Sequence, residues 1–201
     1  RDGSYAPSFW FSYQHIKKIG LFQVPCFTFA AKTRKIVPEV SRMTIRDARR
    51  SDVPAMLAIY APFVEHTAVS FEYDVPTEAE FARRLEEHQA AFPWLVCEEN
   101  GRVMGYAYAG RAFERAAYGW NAEISCYLAP ELRGRGVGRR LYARIEEILT
   151  RLGYYKLFAV VTSANAPSVA FHRALGFRDA ACFRNVGYKQ GGWYDVLWLE
   201  K

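Results

Sequence analysis

Between Arg133 and Arg140 the chain reads RGRGVGRR, three glycines on alternate positions among four arginines. Gly134, Gly136 and Gly138 leave the backbone bare and able to take positive φ. Arg133, Arg135, Arg139 and Arg140 add cationic reach. From Val137 the apolar residues Leu141, Ile145, Ile148, Leu149 and Leu152 mark one face of a helix that stops at Gly153. A glycine-rich turn entering a helix N-terminus offers unpaired N–H groups and the positive end of a dipole, which suits a phosphate group. Two familiar phosphate cradles do not fit. No Lys-Ser or Lys-Thr follows the last glycine, as a P-loop needs, and Arg139 stands where a dinucleotide fingerprint has its third glycine.

The elements that must hold this loop can be read on either side of it. TIRDA (44–48) predicts a short strand, and Ser51 is the expected cap of a helix carrying Val53, Met56, Leu57, Tyr60 and Val64 inward. Thr77 and Glu80 form a capping-box pattern before a second helix. Asn100-Gly101 joins two apolar strands as a hairpin signal, and NAEISCYLAP is a further strand leading into the loop. After the long helix come the strand KLFAVV, a helix over about 168–175, and strands near 178–187 and 193–199. The pattern predicts an α/β (α+β) domain with a mixed, largely antiparallel central sheet flanked by helices.

Composition narrows the classes. With 201 residues, 51% of them hydrophobic, the chain can bury one sizeable core. The formal net charge is +6, but residues 1–42 hold seven Lys/Arg against two acidic residues, so the remainder is close to neutral. That distribution speaks against nucleic-acid binding. Cys26, Cys97, Cys126 and Cys182 are far apart and form no C-x-x-C pair, so neither a zinc site nor a disulfide framework is expected and a reducing cytoplasm fits. No apolar run approaches the roughly 20 residues of a membrane span. Residues 1–42 are acid-poor and lack a clear period. They read as a non-catalytic extension, with a targeting segment as the alternative, ahead of a domain over 43–201; Phe9, Trp10 and Phe11 could pack onto that domain.

Arg133-x-x-Gly136-x-Gly138 resembles the pyrophosphate loop of the GNAT superfamily of N-acetyltransferases. Three more stretches stand around it in order: YGWNAEISCYL before it, NAPSVAFHRALGF after it, and GYKQGGWYD near the end. Together they resemble the phosphinothricin and methionine-sulfoximine N-acetyltransferase branch over about Thr44–Glu200. The resemblance implies acetyl-CoA as co-substrate, with its diphosphate on the backbone of Arg133, Gly134, Arg135, Gly136, Val137 and Gly138. Its pantetheine arm would lie along Cys126, Tyr127 and Leu128, with a further hydrogen bond from Asn165. Direct transfer needs a base, because an amine is protonated at neutral pH and must lose a proton before it attacks. Glu123 matches the family's glutamate in that role. His172 stands where many superfamily members carry a proton-donating tyrosine, and an imidazole can serve as acid or base near neutrality. Thiol nucleophilic catalysis by Cys126 would need a histidine partner.

The resemblance further implies an acceptor pocket of Phe71, Tyr108, Arg115, Tyr118 and Trp120. The guanidinium of Arg115 offers a fork for an amino-acid carboxylate. Phe113 departs from the basic residue that some relatives carry nearby, and Lys189, Trp193 and Asp195 are secondary candidates. The expected function is acetyl transfer to the amino group of a small amino acid or analogue, in a cytoplasmic homodimer, without a metal. Two alternatives are acetylation of peptide or protein N-termini and a non-catalytic acyl-CoA sensor.

Overall fold

The computed structural model describes residues 13–14 and 43–201. The expected 1–42 extension, including Phe9, Trp10, Phe11 and Cys26, therefore lies outside the described residues, apart from Tyr13 and Gln14. Seven strands form one sheet: β1 (Met43–Asp47), β2 (Trp94–Glu99), β3 (Arg102–Arg111), β4 (Asn121–Leu128), β5 (Lys156–Thr162), β6 (Arg178–Lys189) and β7 (Gly192–Glu200). Their order is β1-β2-β3-β4-β5-β7-β6, and every pair is antiparallel except β4 with β5. Over residues 43–201 the sheet is covered by α1 (Val53–His66), α2 (Glu78–Gln89), α3 (Val137–Arg151) and α4 (Ala166–Ala174).

The alternation in β3 decides what packs on each face. Tyr106 and Tyr108 point towards α1 and α2, in a cluster with Tyr60, Phe81, Leu85 and Trp94. Ala107 and Ala109 point the other way, and their small size lets α3 close down on the sheet. The predicted stripe of α3 is buried there: Val137, Leu141, Ile145, Ile148 and Leu149 are each at most 2% exposed. Burial at about 1.5–3 kcal/mol per large apolar side chain holds the helix in place.

The expected hairpin forms, with Asn100 (φ 51°) and Gly101 (φ 80°) both left-handed in the two-residue turn. Thr77 accepts a hydrogen bond from Glu80 N at 3.2 Å. Glu80 does not return it, because its carboxylate binds Arg83 and Arg84 instead. Ser51 does not cap α1. It sits inside a short 3-10 turn (Arg50–Asp52), and the buried Asp52 does the organising by accepting from Arg49 N and from both terminal nitrogens of Arg46. A desolvated carboxylate with three donors outweighs a serine cap.

Candidate active site

The sheet opens at one place. β4 pairs with β3 along most of its length, but with β5 only at Asn121, Ala122 and Glu123. Beyond Glu123 the two strands splay, and the β5-facing edge of Ile124–Leu128 has no strand partner. Unpaired strand edges offer backbone hydrogen bonds to an extended ligand. Cys126 and Leu128 pack with the α3 side of the sheet, whereas Tyr127 turns to the α1 side, 5.0 Å from Tyr60 and 5.4 Å from Phe63 between ring centroids. Burial pushes the Cys126 thiol up to about 12. That disfavours a thiolate, and among the described residues no imidazole hydrogen-bonds it.

The strand ends in the arginine-glycine loop. Gly134 and Gly136 both have φ of 74°, and a Cβ on either would meet nothing within 4 Å. The left-handed backbone explains the glycines, and the open space above them leaves room for a ligand. Gly136 is the N-cap of α3, whose first amides have no intrahelical acceptor. Gly138 has a different reason, since a Cβ there would come within 3.1 Å of the Phe171 ring on α4. Arg135 is turned away, forming a bidentate pair with Glu99 at 2.6 and 3.1 Å. Backbone amides, rather than this side chain, therefore fit a diphosphate. Asn165 caps α4 by accepting from Ser168 N at 3.3 Å.

Glu123 occupies the last paired position before the splay. Its side chain shares a face with Ser125, Tyr127 and Tyr108, two residues along from the Tyr108–Ser125 pair. Among the described residues its carboxylate has no hydrogen-bond or ion-pair partner, and burial raises its pKa. His172 is more deeply set, at 5% exposure. Its Nδ1 donates to Ser168 O at 2.7 Å, so its Nε2 accepts from the Tyr142 hydroxyl at 2.6 Å. Burial lowers its pKa. Both ring nitrogens are engaged. The Tyr142 hydroxyl in turn lies 3.3 Å from Ile124 O, beside Glu123 in the chain.

The expected acceptor residues are not all gathered. Phe71 sits on the 67–77 segment, lying over Gly187 of β6 and 6.4 Å from Tyr194. Tyr108 is stacked on Trp94 at 4.2 Å. Arg115 and Tyr118 lie exposed on the β3–β4 connection, where Tyr118 packs on Phe113 and Phe113 on Phe158 and Trp198. Trp120 is the exception: its ring neighbours Gly153 at the end of α3, on the opposite side of the sheet from Glu123.

A cavity of about 320 Å³ lies between α1, α2 and the sheet, lined by Tyr60, Glu72, Phe81, Arg84, His88, Trp94, Tyr106 and Tyr108. Arg84 and Glu72 pair at 2.6 Å in its wall. Only Tyr108 of this set was expected from sequence. Glu72 adjoins Phe71, a signal that could have been used; His88 sits in a helix rich in charge and gives none. Among the described residues, no three His, Cys, Asp or Glu side chains could hold a metal ion. No described helix is long and apolar enough to cross a membrane.

The family described as acetyltransferase (GNAT) domain matches residues 45–198. The chain is 36% identical to phosphinothricin N-acetyltransferase of Streptomyces viridochromogenes, over 82% of this chain and 90% of the relative. It is 37% identical to the L-methionine sulfoximine/L-methionine sulfone acetyltransferase of Salmonella typhimurium, over 79% of this chain and 93% of the relative. A solved phosphinothricin acetyltransferase from Sinorhizobium meliloti, in complex with AcCoA, superposes with a TM-score of 0.76 at 36% identity, covering 79% of this chain and 87% of that one.

Proposed function

The chain belongs to the acetyltransferase (GNAT) domain family and is an N-acetyltransferase, and from that premise we propose that it moves an acetyl group from acetyl-CoA to the α-amino group of a small amino acid or analogue. The observation that carries the reading is Glu123, a desolvated and unpartnered carboxylate at the mouth of the splay between β4 and β5. A carboxylate of raised pKa is the better proton acceptor from an ammonium group, because its conjugate acid is the more stable.

Acetyl-CoA supplies the activated acyl group. The amides of Gly134, Gly136, Val137 and Gly138 at the first turn of α3 would take its diphosphate, and the free edge of Cys126, Tyr127 and Leu128 its pantetheine arm. An N–H of that edge would also donate to the thioester oxygen as negative charge builds on it. Glu123 takes the ammonium proton, and the nitrogen attacks directly without a thiol intermediate. The Tyr142 hydroxyl, held in place by His172 Nε2, would give its proton to the departing sulfur and take back the second proton that the attacking nitrogen loses. Phe71, Tyr108 and Tyr118 would line the acceptor, with exposed Arg115 free to fork its carboxylate. No step in this scheme calls for a metal.

We assign the enzyme to the cytoplasm and to a homodimer. The free thiols of Cys97 and Cys126 are compatible with a reducing compartment. The edge strand β6 exposes Phe183, Val186 and Tyr188, a surface suited to a second copy; light scattering that finds only monomer would refute the dimer. The deciding experiment for the activity is thiol release from acetyl-CoA with methionine sulfoximine, methionine sulfone, phosphinothricin, polyamines and short peptides as acceptors. Turnover is expected with the free amino-acid analogues. Turnover with peptides or polyamines alone would overturn the substrate class.

A further inference from the structure

Acetylating an ammonium group with a thioester releases one proton net. The nitrogen gives up two, and the CoA thiolate takes one back. The other must leave the site, and Glu123 cannot keep it, because a protonated carboxylate is no base for the next turnover. Burial raises the Glu123 pKa, and the nearby titratable groups Tyr108, Tyr127 and Tyr142 are hydroxyls whose pKa values burial raises further.

One imidazole, that of His88, lies close by. Gly110 is the direct cross-strand partner of Glu123. The His88 ring fills the space that a Gly110 side chain would take, with Cε1 3.2 Å and Nδ1 3.5 Å from an ideal Cβ there. Directly opposed side chains in an antiparallel pair are neighbours, with Cβ atoms about 4.5–5.5 Å apart. The imidazole thus lies over the residue that is paired with Glu123 across the strands. It is held edge-on by Trp94 and Tyr108, each 5.5 Å away, and its Nδ1 lies 3.4 Å from Ala109 O. His88 is half-buried and also lines the 320 Å³ cavity, so it touches both sides. The Trp94 indole N–H in that cavity wall is buried without a partner among the described residues, which calls for water there.

We propose that His88 is the proton outlet of the acetyl-transfer site, relaying the proton from Glu123 to solvent. The proposal rests on the reading of Glu123 as base. In the first step an ammonium N–H bond breaks and an O–H bond forms on Glu123. In the second that O–H bond breaks and an N–H bond forms on His88, directly or through one water. The imidazolium then returns its proton to water at its exposed edge, and both side chains are as they began. The groups facing His88 are Arg84 on its own helix, Glu72 from the 67–77 segment, Tyr60 from α1, Tyr106 and Tyr108 from β3, and Glu123 from β4. Arg84 is neutralised by Glu72 and Glu80, whereas Glu123 has no ion pair among the described residues.

The test uses His88→Phe, which keeps the ring packing, and His88→Gln, which keeps polarity. Both should lower kcat about 10-fold or more while KM for acceptor and acetyl-CoA stays within about twofold. Added imidazole should restore kcat in the variants and leave the wild type unaffected. Full kcat in either folded variant, or a loss that imidazole does not relieve, would overturn the outlet. A measurement independent of these variants is the pH dependence of the His88 ring resonances. They should record the ionisation of Glu123 in the wild type and lose that inflection in Glu123→Gln; an unchanged curve would overturn the contact. Full activity in Glu123→Gln would sink the base itself, whereas an inactive Glu123→Gln beside fully active His88 variants would sink the outlet alone.

Discussion

At the residue scale the site sets reactivity against stability. Burial raises the Glu123 pKa above its unfolded value, so ionising it costs the folded state free energy. The penalty is absent below the unfolded carboxylate value, about 4, where both states are protonated, and is complete above the folded value. Glu123→Gln is therefore expected to melt higher than the wild type at pH 8, with the gap closing as pH falls towards 4, while kcat drops about 10²–10⁴-fold. Thermal melts across pH and steady-state kinetics check the two halves. A variant neither stabilised at pH 8 nor impaired would mean a solvated carboxylate with no part in proton transfer.

At the element scale, the hairpin of β6 and β7 determines where the 67–77 segment, which carries Phe71, lies. Lys189, 4% exposed, donates to Val64 O and Ser70 O, both at 2.6 Å. Val64 O is one of the carbonyls left over at the end of α1, where a cation is favoured. Tyr73 donates to Tyr188 O at 2.7 Å from the same segment. Phe71 is thereby laid over Gly187, where a Cβ would come within 2.2 Å of the ring. Gly187→Ala should push Phe71 off this seat. Because the ring is the partly exposed end of a flexible side chain, the fold should lose little, while KM for the acceptor rises and KM for acetyl-CoA does not. Equal changes in both constants would show that Phe71 has no part in holding the acceptor.

At the scale of the whole molecule, the boundary expected at Met43 meets a contact from before it. Tyr13 is 3% exposed within the main core, where its hydroxyl donates to Asp47, and Gln14 donates to Gln89 O at 2.8 Å. Burying an aromatic of that size is worth about 1.5–3 kcal/mol. Removing residues 1–42 should lower the melting temperature and leave turnover intact, since every proposed site residue follows Met43. Chemical denaturation and the thiol-release assay separate those effects, and lost turnover in a folded truncated chain would tie the extension to catalysis.

Local chemistry was legible in the sequence where it is written in adjacent residues. The glycine loop entering α3, the Asn100-Gly101 turn and the stripe of α3 all depend on φ preferences and a 3.6-residue period, which a sequence carries directly. Motif order was enough to single out Glu123. The relations that tune the site were not legible, because they join residues far apart in the chain. Arg135 finds Glu99, His172 finds Tyr142, and Trp120 falls on the far side of the sheet. The splay after Glu123 is a matter of register between distant strands: β5 leaves β4 at Phe158 and stays paired with β7 to Thr162. His88 can lie over Gly110, the strand partner of Glu123, only because glycine leaves that space open. The sequence by itself determined which groups could do the chemistry; strand register and packing decided which of them meet.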